Sequence, residues 1–111
     1  MTKHFLIAVP SQAPANFTVT STSSTSITAA WLLPPMDSRN GIITGFKLFY
    51  WKKGSAGKET KQIVENGTSR SNTLTGLDKY TEYEFELLAF TSVGDGPKSL
   101  VKVARTNEDG T

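Results

Sequence analysis

The sequence predicts an all-β protein, a seven-stranded antiparallel β-sandwich. Apolar residues recur with a period of two in short segments, no segment has a convincing helical period, and turn-forming residues separate the segments. The 111 residues suit one domain, and a hydrophobic fraction of 37% that includes six Phe, three Tyr and two Trp can fill one packed core.

Seven segments carry the strand signal. Their apolar residues are, in chain order, Phe17 and Val19; Ile27, Ala29 and Trp31; Phe46, Leu48 and Tyr50; Ile63 and Val64; Leu74; Tyr83, Phe85, Leu87 and Ala89; and Val101 and Val103. Turns are predicted at Pro34-Pro35, Asn40-Gly41, Gly54 to Gly57, Asn66-Gly67 and Gly94 to Pro97. Asn66-Gly67 is typical of a type I′ hairpin, which needs a positive φ at both central residues.

A tyrosine opens the longest alternating segment. Tyr83 is its first inward residue, so its ring can be buried while its hydroxyl reaches a nearby backbone group, as in a tyrosine corner. Leu77, six residues earlier, would close the core end of the preceding strand. The residues predicted to build the core are Trp31, Leu48, Tyr50, Leu77, Tyr83 and Phe85.

Several motifs follow one another in a specific order. They are Pro10-Ser-Gln-Ala-Pro14, Trp31 with Pro34-Pro35, Gly41-Ile-Ile-Thr-Gly-Phe46, Gly76-Leu77, Thr81-Glu-Tyr83, Gly94-Asp-Gly-Pro97 and Thr106. In this order they resemble a fibronectin type III domain, over residues 10–106. The resemblance implies an immunoglobulin-like sandwich with strands A, B and E in one sheet and C, C′, F and G in the other. Residues 1–9 would be a linker or a cloning remnant, and residues 107–111 a C-terminal linker.

The resemblance also implies a function. Leu87-Leu-Ala-Phe90 and Val93-Gly-Asp-Gly-Pro97 are similar to modules of multi-domain adhesion receptors. We therefore expect a non-catalytic protein-binding or spacer module in the extracellular part of a membrane or secreted protein. Its partners would be proteins, including a second copy of itself or neighbouring domains of the same chain. The alternative is a structural module of a cytoplasmic, filament-associated protein.

One candidate interface is the outer face of the larger sheet. Because side chains alternate along a strand, we expect five apolar residues to point away from the core: Phe49, Trp51, Leu88, Phe90 and Leu100. Outward aromatic residues are enriched at protein interfaces. Alternatively, these residues pack under loops or lysine stems. We place Lys47, Glu84, Glu86 and Lys102 on the same face, as a cross-strand charge ladder.

The loops offer further candidates. Loops on a rigid scaffold often bind partners, and the candidates here are Met36, Asp37, Arg39 and Asn40 in one loop and Gly94 and Asp95 in another. No arginine precedes Gly94-Asp95, which argues against an Arg-Gly-Asp integrin signal. Asn16 and Asn66 lie in N-glycosylation sequons, although chance alone would give about one sequon in such a composition.

Charge and composition exclude several function classes. A net charge of +2 argues against a nucleic-acid domain, and the absence of Cys excludes thiol chemistry. The only histidine is His4, and Glu82, Glu84 and Glu86 alternate onto an outer face, so we predict no enzyme, cofactor or metal site. The apolar stretch at residues 5–9 is too short to span a membrane.

A basic cluster remains open to two interpretations. Five lysines, Lys47, Lys52, Lys53, Lys58 and Lys61, lie around strand C and the following loop, with Arg70 beyond them. They could form a patch for a sulfated polysaccharide or for anionic lipid headgroups. Cations spread over 24 residues in this way are more often solvated charges that discourage edge-strand pairing.

Overall fold

The computed structural model describes residues 7–55 and 57–108. Within them the strands are β1 (Ala15–Ser21), β2 (Ile27–Leu32), β3 (Gly45–Lys52), β4 (Thr60–Val64), β5 (Ser71–Leu74), β6 (Glu82–Phe90) and β7 (Lys102–Arg105), with a 3-10 turn at Met36–Ser38. They form two antiparallel sheets, in the orders β1-β2-β5 and β4-β3-β6-β7. The β-sandwich and the predicted division of strands between sheets are thus confirmed.

The chain ends lie partly beyond this description. His4 and most of the predicted terminal linkers, 1–9 and 107–111, lie outside the described residues. In the part that is described, no helix is long and apolar enough to cross a membrane.

The core lies between the two sheets. Trp31 of β2 packs against Phe46 of β3, with ring centroids 5.1 Å apart. Leu48 and Phe85 are completely buried, and Tyr50 is half-buried with its ring 6.2 Å from that of Phe85. Complete burial of such a side chain contributes about 1.5–3 kcal/mol to stability. The alternation read from the sequence therefore identifies the inward residues of β2, β3 and β6.

Tyr83 forms the expected tyrosine corner. The backbone N–H of Asp78 donates a hydrogen bond of 2.8 Å to the Tyr83 hydroxyl. Nearby, the buried Thr106 hydroxyl accepts from the Thr81 N–H at 2.8 Å and donates to the Asp78 carbonyl at 2.6 Å. These bonds satisfy backbone groups that the connection before β6 would otherwise bury unpaired.

The predicted hairpin at Asn66-Gly67 is wrong. Neither residue has a positive φ, and the strands on either side, β4 and β5, belong to different sheets. The Asn66 carbonyl accepts from the Ser69 N–H at 3.1 Å, and its side-chain oxygen accepts from the Thr68 N–H at 2.9 Å. Gly67 is required for a different reason, because a Cβ there would lie 1.8 Å from the Ile43 carbonyl oxygen. Glycine serves close backbone approach as well as positive φ, and the sequence does not distinguish the two uses.

Candidate functional site

The outer face of the four-stranded sheet holds most of the predicted interface. Trp51 and Leu88 lie outside the inter-sheet core, yet only 9% and 3% of their surfaces are exposed. The Trp51 indole N–H donates to a carboxylate oxygen of Glu84 at 2.9 Å. These two side chains therefore offer a partner very little apolar surface.

Lysine side chains cover the other aromatic residues of this face. The Lys98 ammonium lies 4.2 Å from the centroid of the Phe49 ring, and its Nζ is 3.7 Å from a Glu86 oxygen. In the same way Lys47 lies 5.6 Å from the centroid of the Phe90 ring. The sequence left two alternatives for these residues, a protein interface or packing under loops and lysine stems. The contacts of Phe49 and Phe90 fit packing under lysine side chains.

Strand β7 corrects two further expectations. Lys102 lies opposite Phe85, and Val103 lies opposite Glu84, so Lys102 is on the inward side of the sheet, at its edge. The predicted Lys–Glu–Lys ladder is therefore wrong. Leu100 is 84% exposed, but it lines a groove with Phe17 and Lys102 at the β1–β7 edge, so it does not extend the Phe49 face. A strand of four residues is too short for its alternation to fix its phase.

Three of the five lysines in the basic cluster are paired with carboxylates. Lys52 contacts Asp78, which raises the pKa of Lys52 through a side-chain hydrogen bond and charge attraction. Lys53 lies 3.1 Å from Glu82, and its hydrogen bond and charge lower the pKa of that carboxyl, to which Arg105 adds. Lys47 is 2.9 Å from Asp95. The cluster is therefore not one uncompensated basic patch.

The predicted loop residues come together at one end of the sandwich, which we call the loop end: residues 34–44, 66–70 and 91–96. Residues 8 and 9, part of the segment that the sequence predicts to be a linker or remnant, contact two of these loops. The Ala8 N–H donates to the Asn40 carbonyl at 2.8 Å, and the Asn40 side chain donates to the Val9 carbonyl at 3.0 Å. The Thr91 hydroxyl donates to the Ala8 carbonyl at 2.8 Å.

Large apolar side chains are exposed at the loop end. Met36 is 80% exposed, Ile42 82% and Val93 58%. Sequence reasoning missed Ile42 and Val93 as candidates. Their signal was available, because each is an apolar residue in a glycine-containing loop outside any alternating segment. Of the other predicted loop residues, Asp37 is exposed on the 3-10 turn, whereas Asp95 is held by Lys47 and Gly94 accepts from the Thr91 N–H at 3.0 Å.

The two sequons lie in different surroundings. Asn16 is in β1, where its φ of 52° accompanies a shift in the register with β2. Asn66 is exposed in the turn that leaves β4, and its side-chain oxygen accepts from the Thr68 hydroxyl at 2.6 Å. In residues 7–55 and 57–108, no three His, Cys, Asp or Glu side chains are close enough together to hold a metal ion.

Two sheets in this strand order, joined by a tyrosine corner, define an immunoglobulin-like β-sandwich. The family model described as "Fibronectin type III domain" matches residues 12–104, and the chain belongs to this family.

Several large proteins contain a region similar in sequence to this chain. The chain is 42% identical over 105 residues to mouse receptor-type tyrosine-protein phosphatase F, which covers 92% of this chain and 5% of that protein. It is 43% identical over 101 residues to Drosophila melanogaster tyrosine-protein phosphatase Lar (91% and 5%) and 42% identical over 92 residues to mouse protein sidekick-2 (83% and 4%). The chain thus spans about 5% of the length of these relatives.

Solved structures share the fold. The FN5 domain of Drosophila Lar matches with a TM-score of 0.71 and 28% identity, over 89% of this chain and 98% of that one. The third fibronectin III domain of human KIAA0343 protein matches with a TM-score of 0.83 and 24% identity, over 100% of this chain and 94% of that one. This second likeness concerns the fold alone.

Proposed function

We propose that this chain is a non-catalytic protein-binding module in the extracellular part of a receptor, and that it binds through its loop end. The observation that carries the proposal is the exposure of Met36, Ile42 and Val93 on loops that the segment at residues 8–11 holds in place. The name of one relative, receptor-type tyrosine-protein phosphatase F, supports the cellular setting.

Loops that are ordered before binding lower the entropic cost of binding. A flexible loop loses conformational freedom when it binds, which subtracts from its affinity. Here the Asn40 and Thr91 contacts with residues 8 and 9 order both loops in the free protein. Exposed apolar side chains on such a scaffold can be buried by a partner at a lower entropic cost. The mechanism is equilibrium binding, with no chemical step.

The test is a binding screen with matched variants. The domain, displayed in multivalent form, is tested against a panel of cell-surface ectodomains that includes the domain itself. Met36→Ser/Val93→Ser removes two exposed side chains of the loop end. Leu100→Ser is the control, because Leu100 is as exposed as any of them but lies at the β1–β7 edge. We expect a partner that is lost with the double variant and kept with the control.

A spacer is the second candidate function, and the path of the chain favours it. Residue 8 bonds to the loop between β2 and β3, whereas Asn107 bonds to Ser23, in the connection between β1 and β2. The chain therefore enters at one end of β2 and leaves at the other, so that each such module lengthens an array. A folded domain that binds nothing in the screen would contradict the binding proposal and favour the spacer.

Glycan occupancy tests the extracellular setting. Asn66 is exposed in a turn, where an attached glycan would project into solvent. We expect an increase in mass at Asn66 when the domain is secreted from animal cells. If both sequons stay unmodified in secreted protein, the alternative of a cytoplasmic structural module gains support.

A further inference from the structure

A groove at the loop end combines an apolar floor with two arginines. Leu33 and Ile43 lie half-buried and buried in it, and the exposed Ile42 stands beside them. Arg39 and Arg70 complete the lining, and the groove has a volume of about 400 Å³. It joins the loop between β2 and β3 to the connection between β4 and β5.

In the part of the chain that the structure describes, the two arginines of the groove have no acidic partner. No carboxylate of the described residues is within ion-pair distance of the Arg39 or Arg70 guanidinium, and the groove lining contains no Asp or Glu. The third arginine of the chain, Arg105, is paired with Glu82. Elsewhere on the sandwich, Lys47, Lys52, Lys53 and Lys98 also have carboxylate partners.

Backbone carbonyls hold both guanidinium groups in place. Arg39 Nε donates to the Pro34 carbonyl at 2.8 Å, which leaves its two Nη groups available. Arg70 Nη1 donates to the Gly67 and Ser69 carbonyls at 3.0 and 2.9 Å, which leaves Nε and Nη2 available. Each arginine thus presents an edge with two donor groups, the geometry that binds a carboxylate through two parallel hydrogen bonds.

We propose that this groove binds an acidic segment of a partner protein, in which an apolar side chain flanked by Asp or Glu enters between Arg39 and Arg70. The proposal rests on the protein-binding function above and names its site and the chemistry of its partner. Charge complementarity favours this partner, because the two oriented cations form no ion pair with a carboxylate of the described residues. They stand beside apolar surface that a purely acidic ligand would leave uncovered.

The apolar floor decides between an acidic protein and a sulfated polysaccharide. A polysaccharide would use the two arginines and leave the surface of Ile42 and Leu33 unburied. An acidic peptide with a central Leu or Phe would use both features. Tighter binding of a sulfated polysaccharide than of acidic peptides would therefore overturn the proposal.

The experiment uses the whole chain, produced in bacteria so that Asn66 is unmodified. The probes are an array of acidic hexapeptides with one central apolar residue, the same array with Asn and Gln in place of Asp and Glu, and a heparin fragment. Binding is measured by fluorescence anisotropy and located from NMR shifts of the backbone amides. We expect binding only by acidic peptides, with shifts at Ile42, Ile43 and Thr68.

Three variants test the residues. Arg39→Gln/Arg70→Gln should weaken binding at least about tenfold, as expected for the loss of charge-assisted bonds. The control Lys58→Gln/Lys61→Gln removes the same charge from lysines outside the groove. It should change affinity less than about twofold, because these charges would act on the peptide only at a distance, where salt screens them. Ile42→Ser should also weaken binding, and its side chain is too exposed for the change to disturb folding.

Several results would overturn the proposal. They are an absence of peptide binding, equal losses in the arginine and lysine variants, unaltered binding by Ile42→Ser, or a preference for the heparin fragment. The proposed function is tested separately, by the screen against cell-surface ectodomains. A receptor ectodomain that still binds Arg39→Gln/Arg70→Gln would remove the groove proposal and leave the binding module intact.

Discussion

The outer face of the four-stranded sheet and the loop end both carry outward apolar side chains and basic side chains. They differ in what these side chains contact. On the sheet, Trp51 donates to Glu84, and Lys98 covers Phe49 while it contacts Glu86. At the loop end, the partners of Arg39 and Arg70 among the described residues are backbone carbonyls. The comparison teaches that an outward apolar residue predicts a binding surface only where no long neighbouring side chain can cover it.

Strand spacing explains the difference. Diagonal neighbours on adjacent strands lie about 7–8 Å apart, within reach of a long side chain, so Lys47 on β3 reaches Phe90 on β6. Lys98 reaches Phe49 from the segment that leads into β7. Loop residues such as Met36 have no such row of neighbours. The two regions should therefore respond differently to substitution: the sheet face in stability, the loop end in binding.

The largest effect is expected for Trp51→Ala. The substitution removes a side chain that is only 9% exposed and leaves Glu84 without its indole donor. We expect the free energy of unfolding to fall by about 3 kcal/mol, near the lower limit for aromatic truncation because the site lies outside the inter-sheet core. Urea denaturation measures the change. Trp51→Phe, which keeps an aromatic ring, should lose clearly less stability. If Trp51→Ala lost less stability than Met36→Ser, the comparison would be contradicted.

Gly67→Ala tests whether the loop end is built as tightly as the sheet. A Cβ at this position would lie 1.8 Å from the Ile43 carbonyl oxygen, so the backbone would have to move. We expect a loss of about 2 kcal/mol, the range for overpacking. The control is Gly54→Ala, which has open space and a φ of +86° and should cost about 1 kcal/mol for that conformation alone. Equal stability of the two variants would contradict a tightly packed turn.

Sequence reasoning was most successful for strands in which alternating apolar residues all face the core. It identified Trp31, Leu48 and Phe85 as core residues and Tyr83 as the corner, because β2, β3 and β6 are long enough to fix their phase. It failed on the four-residue β7 and on Asn66-Gly67, where glycine permits close approach and not a left-handed turn.

The candidate site was less predictable than the fold. The loops were expected to matter, but the contacts of Ala8 with Asn40 and Thr91 depend on backbone groups, which no side-chain pattern reveals. The groove joins Arg39 to Arg70, 31 positions apart, through the crossing of the chain from one sheet to the other. Such proximity follows from three-dimensional topology and leaves no local signal.

A smaller effect, and one that depends on pH, is expected for Glu82 on β6. Lys53, and then Arg105, lower its pKa below the ordinary value of 4.5 in the folded protein. A carboxyl with a lowered folded-state pKa stabilises the protein above its unfolded-state pKa, and this contribution disappears as the pH falls through the folded-state value. In urea denaturation, the stability advantage of the wild type over Glu82→Gln should persist from pH 7 to 5 and shrink below pH 4.5. A difference that stays constant down to pH 2 would contradict the ion-pair assignment.

The smallest effect on stability is expected for Met36→Ser. The Met36 side chain is 80% exposed, so its removal uncovers little surface and the free energy of unfolding should change by less than about 0.5 kcal/mol. Leu100→Ser, at 84% exposure, should be equally silent in urea denaturation. Each substitution removes a large, exposed apolar side chain, but the two lie in different places, and this makes the pair a sharp test of the comparison. If both substitutions preserve stability and only Met36→Ser weakens a partner found in the screen, exposure at the loop end serves binding. If Leu100→Ser alone weakens it, the binding surface is the β1–β7 edge.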